Sequence, residues 1–190
     1  MLLEKVRRFE KPFIKLEQYV TPPQLAAKLL YLAYMKGDIE GKKVVDLGCG
    51  TGILAIGSAL LGGITTGVDV DNQALEVARI NAREFEVNIT WINSSVEEFQ
   101  GDFDTVIMNP PFGGQRKGSD RPFLKRAFMI GSTVYLIQNA VSEHFVRAFS
   151  APNLITHSMK LKFPIAHTFK FHKKEIAYID VIIFRMERAA

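Results

Sequence analysis

The sequence predicts an α/β fold built on a seven-stranded, mostly parallel sheet, and three observations predict it. Apolar runs of strand length at 44–47, 65–70, 88–96, 103–109 and 133–138 alternate with stretches of helical periodicity, the pattern of strands joined by helical crossovers that cover both sheet faces. The first four runs close on the polar residues Asp46, Asp69, Ser95 and Asn109, which right-handed crossovers bring to one rim. The last two runs, Asn153–Phe163 and Glu175–Met186, follow one another without a helix, as a C-terminal antiparallel hairpin at a sheet edge does. A chain of 190 residues, 47% hydrophobic and 23% charged, is long enough for one large core. One domain is expected, with residues 1–40 a helical cap on a core of 41–190.

Residues 1–20 mix basic and apolar positions. Thr21 and Gln24 have capping-box spacing and Pro22 suits a first helical position, so a helix is predicted to about Met35 with Leu25, Leu29, Leu30 and Leu32 inward. Val44 and Val45 then run into Gly48, Gly50 and Gly52, and a helical pattern follows from Ile53 to Leu61. Glycines so spaced permit a tight turn and let a ligand approach the backbone at a helix N-terminus. The motif is Asp-x-Gly-x-Gly-x-Gly from Asp46, not the Gly-x-Gly-x-x-Gly of dinucleotide sites. A carboxylate at Asp46 sits badly beside a pyrophosphate and well beside an ammonium or sulfonium, which favours S-adenosylmethionine over NAD.

The second strand, Thr65–Val70, carries Asp69 about 20 positions beyond the glycine turn, where a carboxylate accepts both ribose hydroxyls. Asp71 reads as the N-cap of the next helix. Ser94 and Ser95, closing the third strand, suit either an adenine edge or a cap on the Glu97–Glu98 turn.

The fourth strand, from Phe103, must stop at Asn109, because Pro110 and Pro111 cannot donate ladder hydrogen bonds. Its tip offers the Asn109 side-chain carbonyl, the Pro110 backbone carbonyl and the flat face of Phe112. Two acceptors and a stacking surface fit a planar group carrying an NH2, a nucleobase or a carboxamide. A stiff turn is the alternative for Asn-Pro-Pro alone. Arg116, Lys117 and Arg121 follow in a loop, and Phe169-Lys-Phe-His-Lys-Lys174 interleaves basic and aromatic residues at the hairpin tip. That composition suits a phosphate backbone and single-stranded nucleic acid; a solvated loop and a lysine-blunted sheet edge are the competing readings.

The formal charge of +4 permits a polyanionic partner without demanding one. One cysteine, Cys49, excludes a disulfide framework and a cysteine-rich zinc site, and the four histidines lack metal-ligand spacing. No metal is expected. No apolar run reaches a membrane span and the N-terminus has no signal-peptide core, so a cytoplasmic protein is expected.

Asp46–Gly52 with Asn109–Phe112 resembles the Rossmann-like class I S-adenosylmethionine-dependent methyltransferases that act on exocyclic or amide nitrogens. Leu16–Thr21, Met108–Gly113 and Lys170–Lys174 together resemble more closely the methyltransferase-like protein five family in its archaeal type, over nearly the whole chain. The resemblance implies N6-methylation of one adenosine in small-subunit ribosomal RNA. It implies a cofactor site lined by Gln18, Thr21, Gly48, Thr51, Ile53, Asp69, Ser95 and Val96, joined by Asp46, Gly50, Val70 and Asn109. It makes Asn109, Pro110, Pro111 and Phe112 the catalytic pocket, beside which the basic residues Arg116, Lys117, Arg121, Lys173 and Lys174 are the candidate RNA contacts. Family relatives can carry an acidic residue where Ser95 stands. The family also implies a small zinc-binding activator protein added at a sheet edge, for which Trp91 and Ile89 on the third strand are the expected contact. Two further functions fit the pocket or the fold: glutamine N5-methylation in a protein, and a non-catalytic cofactor-binding scaffold.

Overall fold

Strands that read as continuous apolar runs need cover on both faces, and the fold supplies it. The computed structural model describes residues 2–9, 13, 18, 21–112, 118–165 and 177–189. Seven strands, β1 (Lys43–Leu47), β2 (Ile64–Asp69), β3 (Thr90–Asn93), β4 (Phe103–Met108), β5 (Gly131–Asn139), β6 (Leu154–Ile165) and β7 (Ala177–Glu187), form one sheet in the order β3-β2-β1-β4-β5-β7-β6. β3 to β5 pair in parallel through β2, β1 and β4. β7 runs antiparallel to both β5 and β6, so the predicted C-terminal hairpin is present and its first strand, β6, is the sheet edge.

Alternation along the strands sorts the core into two layers. Ile107, Tyr135, Ile137 and Ile183 face one side, where they meet Leu25, Leu29 and Leu30 of α1 (Pro23–Met35) and Ile53, Leu54 and Ile56 of α2 (Ile53–Leu60). Val106, Met108, Val134, Leu136 and Phe184 face the other, against Leu124, Ala127 and Ile130 of α4 (Arg121–Ile130) and Val146 of α5 (Glu143–Ser150). α3 (Asn72–Glu84) crosses between β2 and β3 and buries Ala74, Leu75, Ala78 and Ala82. α1 therefore belongs to the same apolar layer as the sheet rather than capping it from outside.

Two expectations change here. The Thr21–Gln24 capping box does not form: Pro22 is the N-cap without a side-chain bond, Pro23 takes the first helical position, and the Thr21 hydroxyl is engaged elsewhere. Trp91 is half-buried rather than free on the edge. β3 is an edge strand, but the indole lies over the sheet, where Cβ atoms at Gly67 and Gly52 would come within 2.3 Å and 2.8 Å of it. Ile89 likewise packs against the first apolar layer. The backbone of β3 is open along the sheet edge.

At the amino ends of the parallel strands, the loop after α1 is held by buried polar groups. Asp38 accepts hydrogen bonds from the Tyr135 hydroxyl at 2.6 Å and from Arg185 Nε at 2.8 Å, and Thr105 donates to the Asp38 carbonyl at 2.6 Å. Arg185 also donates to Thr156 Oγ1 at 2.7 Å and pairs with Glu187. Burial and the adjacent Asp38 push the Tyr135 phenol well above its ordinary value.

Candidate active site

Of the four polar strand ends predicted to share a rim, Asp69, Ser95 and Asn109 line one cavity of about 520 Å³. β1 ends in the glycine turn, whose backbone is left-handed at Gly48 (φ +71°) and Gly50 (φ +53°). Close approach forbids side chains as firmly as the dihedrals do: a Cβ at Gly48 would lie 2.8 Å from the Phe123 ring, and one at Gly50 2.9 Å from the Phe9 ring. Two aromatic rings thus press on the bare turn.

Asp69, at the end of β2, accepts from the Gly50 N–H at 2.8 Å and from the Asp71 N–H at 2.9 Å. Burial raises its carboxyl above the ordinary range, while these two donors pull it back. Asp71 caps α3 as predicted, accepting from the Gln73 N–H at 2.9 Å, and its second oxygen accepts from the Gln18 amide at 2.7 Å. Asn81 of α3 is fully buried and joins two segments distant in sequence. Its amide donates to the carbonyls of Thr51 (2.9 Å) and Arg7 (3.2 Å), and its oxygen accepts from the Arg7 N–H at 2.9 Å.

Asn109 occupies the end of β4. Its amide nitrogen donates to Thr21 Oγ1 at 2.9 Å, which fixes the orientation of the group. The opposite oxygen, Oδ1, is buried and has no partner among the described residues. Buried polar atoms are otherwise nearly always matched, so a lone acceptor on a cavity wall marks a place for a donor.

Gln18, Thr21, Gly48, Gly50, Thr51, Ile53, Asp69, Val70, Ser95, Val96, Asn109, Pro111 and Arg121 all line the cavity. Asp46 does not. It is 1% exposed beneath the turn, and its carboxylate accepts from the Ala55 N–H at 2.9 Å, steadying the first turn of α2. Burial, with the nearby Asp69 charge adding to it, pushes its pKa up to about 8. Pro110 is buried, and Phe112 packs half-buried against the first apolar layer instead of lining the cavity. Ser95 takes the capping role, bonding Glu98 through its hydroxyl at 3.1 Å, while still touching the cavity. Arg121 is exposed at the rim, its guanidinium 5.2 Å from the Phe145 ring. Arg116, Lys117, Lys173 and Lys174 lie outside the described residues.

Phe9, Phe123 and Ser119 also line the cavity and escaped the sequence reading. Phe123 had a local signal, as the apolar start of a helix beside a glycine turn. Phe9 had none.

Residues 25–139, from α1 to the end of β5, match the model of the methyltransferase small domain. The chain belongs to that methyltransferase family. Among relatives of this methyltransferase, the zebrafish (Danio rerio) protein named rRNA N(6)-adenosine-methyltransferase METTL5 is 38% identical over 96% of this chain and 94% of its own. An uncharacterized protein of Methanocaldococcus jannaschii is 36% identical over 99% of this chain and 92% of its own. The crystal structure of the Pyrococcus horikoshii protein PH1948 superimposes with a TM-score of 0.92 at 43% identity, covering all of this chain and 95% of that one.

The methyl donor of this methyltransferase is S-adenosyl-L-methionine, and the donor set fits it. A turn stripped of side chains admits an extended ligand along its backbone, and Asp69 at the β2 end is a carboxylate where a ribose diol needs acceptors. Bound there, the donor supplies an electrophilic methyl group on a sulfonium.

Proposed function

We propose that this methyltransferase modifies the exocyclic N6 amine of an adenosine in small-subunit ribosomal RNA. The observation that carries the reading is Asn109: one end of its amide is committed to Thr21 and the other is a buried, unmatched acceptor on the cavity wall. An amino group brought there donates to Oδ1. The bond strengthens as positive charge grows on the nitrogen, so it favours the transition state over the ground state. Asn109 accepts no proton outright; orientation of the amine toward the methyl group supplies most of the rate, and the proton leaves to water afterwards. The base must leave its stack to enter the cavity. The name of the zebrafish relative and the family match support the nucleobase and the ribosomal substrate. Arg121 at the rim supports a polyanionic one. We place Gln18, Thr21, Gly48, Gly50, Thr51, Ile53, Asp69, Val70, Ser95 and Val96 around the donor, with Asp46 acting through the turn above it. The reading puts the enzyme in the cytoplasm with its substrate, and it assigns the open backbone edge of β3 to a small zinc-binding activator protein.

Purified enzyme, methyl-labelled S-adenosylmethionine and unmodified small-subunit RNA should give N6-methyladenosine on nucleoside digestion and mass analysis, and Asn109→Ala should abolish it. Label in a protein glutamine and none in RNA would replace this reading with its rival.

A further inference from the structure

Among the described residues two buried side-chain polar atoms lack a partner, and both belong to the wall of one cavity: Asn109 Oδ1 and Ser119 Oγ. The first has a role in the reading above; the second has none. We propose that Ser119 is the second polar anchor of the target base, its hydroxyl donating to the ring nitrogen next to the amine that Asn109 accepts from. The inference rests on the reading of the acceptor as adenosine.

Three features carry it. Ser119 is held in place by its neighbour: Asp120, 5% exposed, accepts from Gln138 Nε2 at 2.7 Å, and Gln138 is itself fully buried near the carboxyl end of β5. That bond locates Ser119 on the rim. β5 lies beside β4, with Met108 paired to Leu136, so Gln138 stands next to the strand end that carries Asn109. Asp69 and Ser95, where the donor's nucleoside belongs, close β2 and the segment after β3, two and three strands away from β4. Ser119 therefore stands on the acceptor side of the cavity.

The third feature is chemical complementarity. A hydroxyl without a partner can donate one hydrogen bond. Adenine presents a donor, N6–H, flanked by acceptors at N1 and N7, so an acceptor at Asn109 and a donor at Ser119 match two adjacent groups on one edge. A base that carries the ring nitrogen pairs with the buried hydroxyl, whereas a base lacking it leaves the hydroxyl unmatched. Discrimination by unmatched polar groups is steeper than by shape. Ser119 would thus set which base is methylated, and Asn109 which atom.

The test uses the full chain and, once the modified position is mapped, synthetic RNA carrying adenosine, 1-deaza-adenosine or 7-deaza-adenosine there. Ser119→Ala should lower kcat/KM on adenosine about tenfold, in line with one buried hydrogen bond. It should leave the affinity for S-adenosylmethionine unchanged, and its penalty should vanish on one of the two deaza substrates. Ser119→Thr, which keeps the hydroxyl, should restore most of the rate. An equal penalty on all three substrates, no penalty on any, or weaker donor binding would each overturn the assignment. Failure of the underlying reading looks different, because wild-type enzyme would then leave adenosine unmodified before any variant is made.

Discussion

Asp38, Tyr135, Thr105, Thr156 and Arg185, toward the amino ends of the parallel strands, close a polar network in which every charge has a counterpart. Asn109 and Ser119, toward the carboxyl ends, keep one buried atom each unmatched among the described residues. Residue type does not separate the two regions; completeness of pairing does. A closed network has spent its hydrogen-bonding capacity on folding, so its loss should be felt in stability. An open one holds capacity in reserve, so its loss should be felt in turnover.

The sharpest test of that contrast is Asn109→Ala. Turnover should fall by at least about a thousandfold, about 4 kcal/mol of transition-state stabilisation, while unfolding free energy shifts by less than about 1 kcal/mol and donor affinity stays within a few-fold. Denaturant melts alongside single-turnover rates check it, and a comparable loss in both would break the contrast. Next in size is Asp38→Ala, which takes from the Arg185 guanidinium, 10% exposed in its side chain, one of its two carboxylate partners and from the Tyr135 hydroxyl its acceptor. Removing one partner of a buried pair costs about 3 kcal/mol, so the melting midpoint should drop steeply while activity per folded molecule holds. Asp69→Ala should weaken S-adenosylmethionine binding by about 30-fold, roughly 2 kcal/mol for hydrogen bonds to a charged acceptor, measured by calorimetry, with a smaller loss of stability from the freed Gly50 and Asp71 N–H groups.

A further test is the pH dependence that Asp46 imposes. Its folded pKa, pushed to about 8, lies above that of the unfolded chain, so the folded state keeps a proton that the unfolded state has released. Stability of the ligand-free protein must therefore fall as pH rises from the ordinary carboxylate range to about 8. Asp46→Asn keeps an acceptor for Ala55 and has no proton to lose, so its stability should be nearly flat over that window apart from the slope that Asp69, shifted in the same direction, contributes. Unfolding curves at about pH 5 and pH 8 decide it; a wild type more stable at the higher pH would reverse the sign.

How much of this was legible followed sequence separation. The glycine turn, Asp69 twenty residues on, the Asp71 cap and the arrest of β4 at Asn109 are local consequences of spacing, of proline geometry and of strand periodicity, and the structure has them where the residues put them. Local spacing read Thr21 as a cap for its nearest helix, yet its hydroxyl is drawn to Asn109, 88 residues away. Asp46 was legible as the acid before the turn but not as the acceptor for Ala55, because which way a buried carboxylate faces depends on α2 packing back over β1. Phe9 over Gly50 and Asp120 on Gln138 join segments that no local pattern relates. Trp91 looked like an exposed aromatic on an edge strand; Gly67 and Gly52, by having no side chains, make the space that turns it inward.

Asn81 has a consequence of its own. With its amide shared between Thr51 and Arg7, the glycine turn cannot loosen without also releasing the N-terminal segment that carries Phe9. The two are thermodynamically linked, so a ligand that settles on the turn slows amide hydrogen exchange at residues 7–9 as well, and an N-terminal truncation taxes ligand affinity without removing a single ligand contact on β1. In this enzyme the beginning of the chain is the far wall of the donor's room.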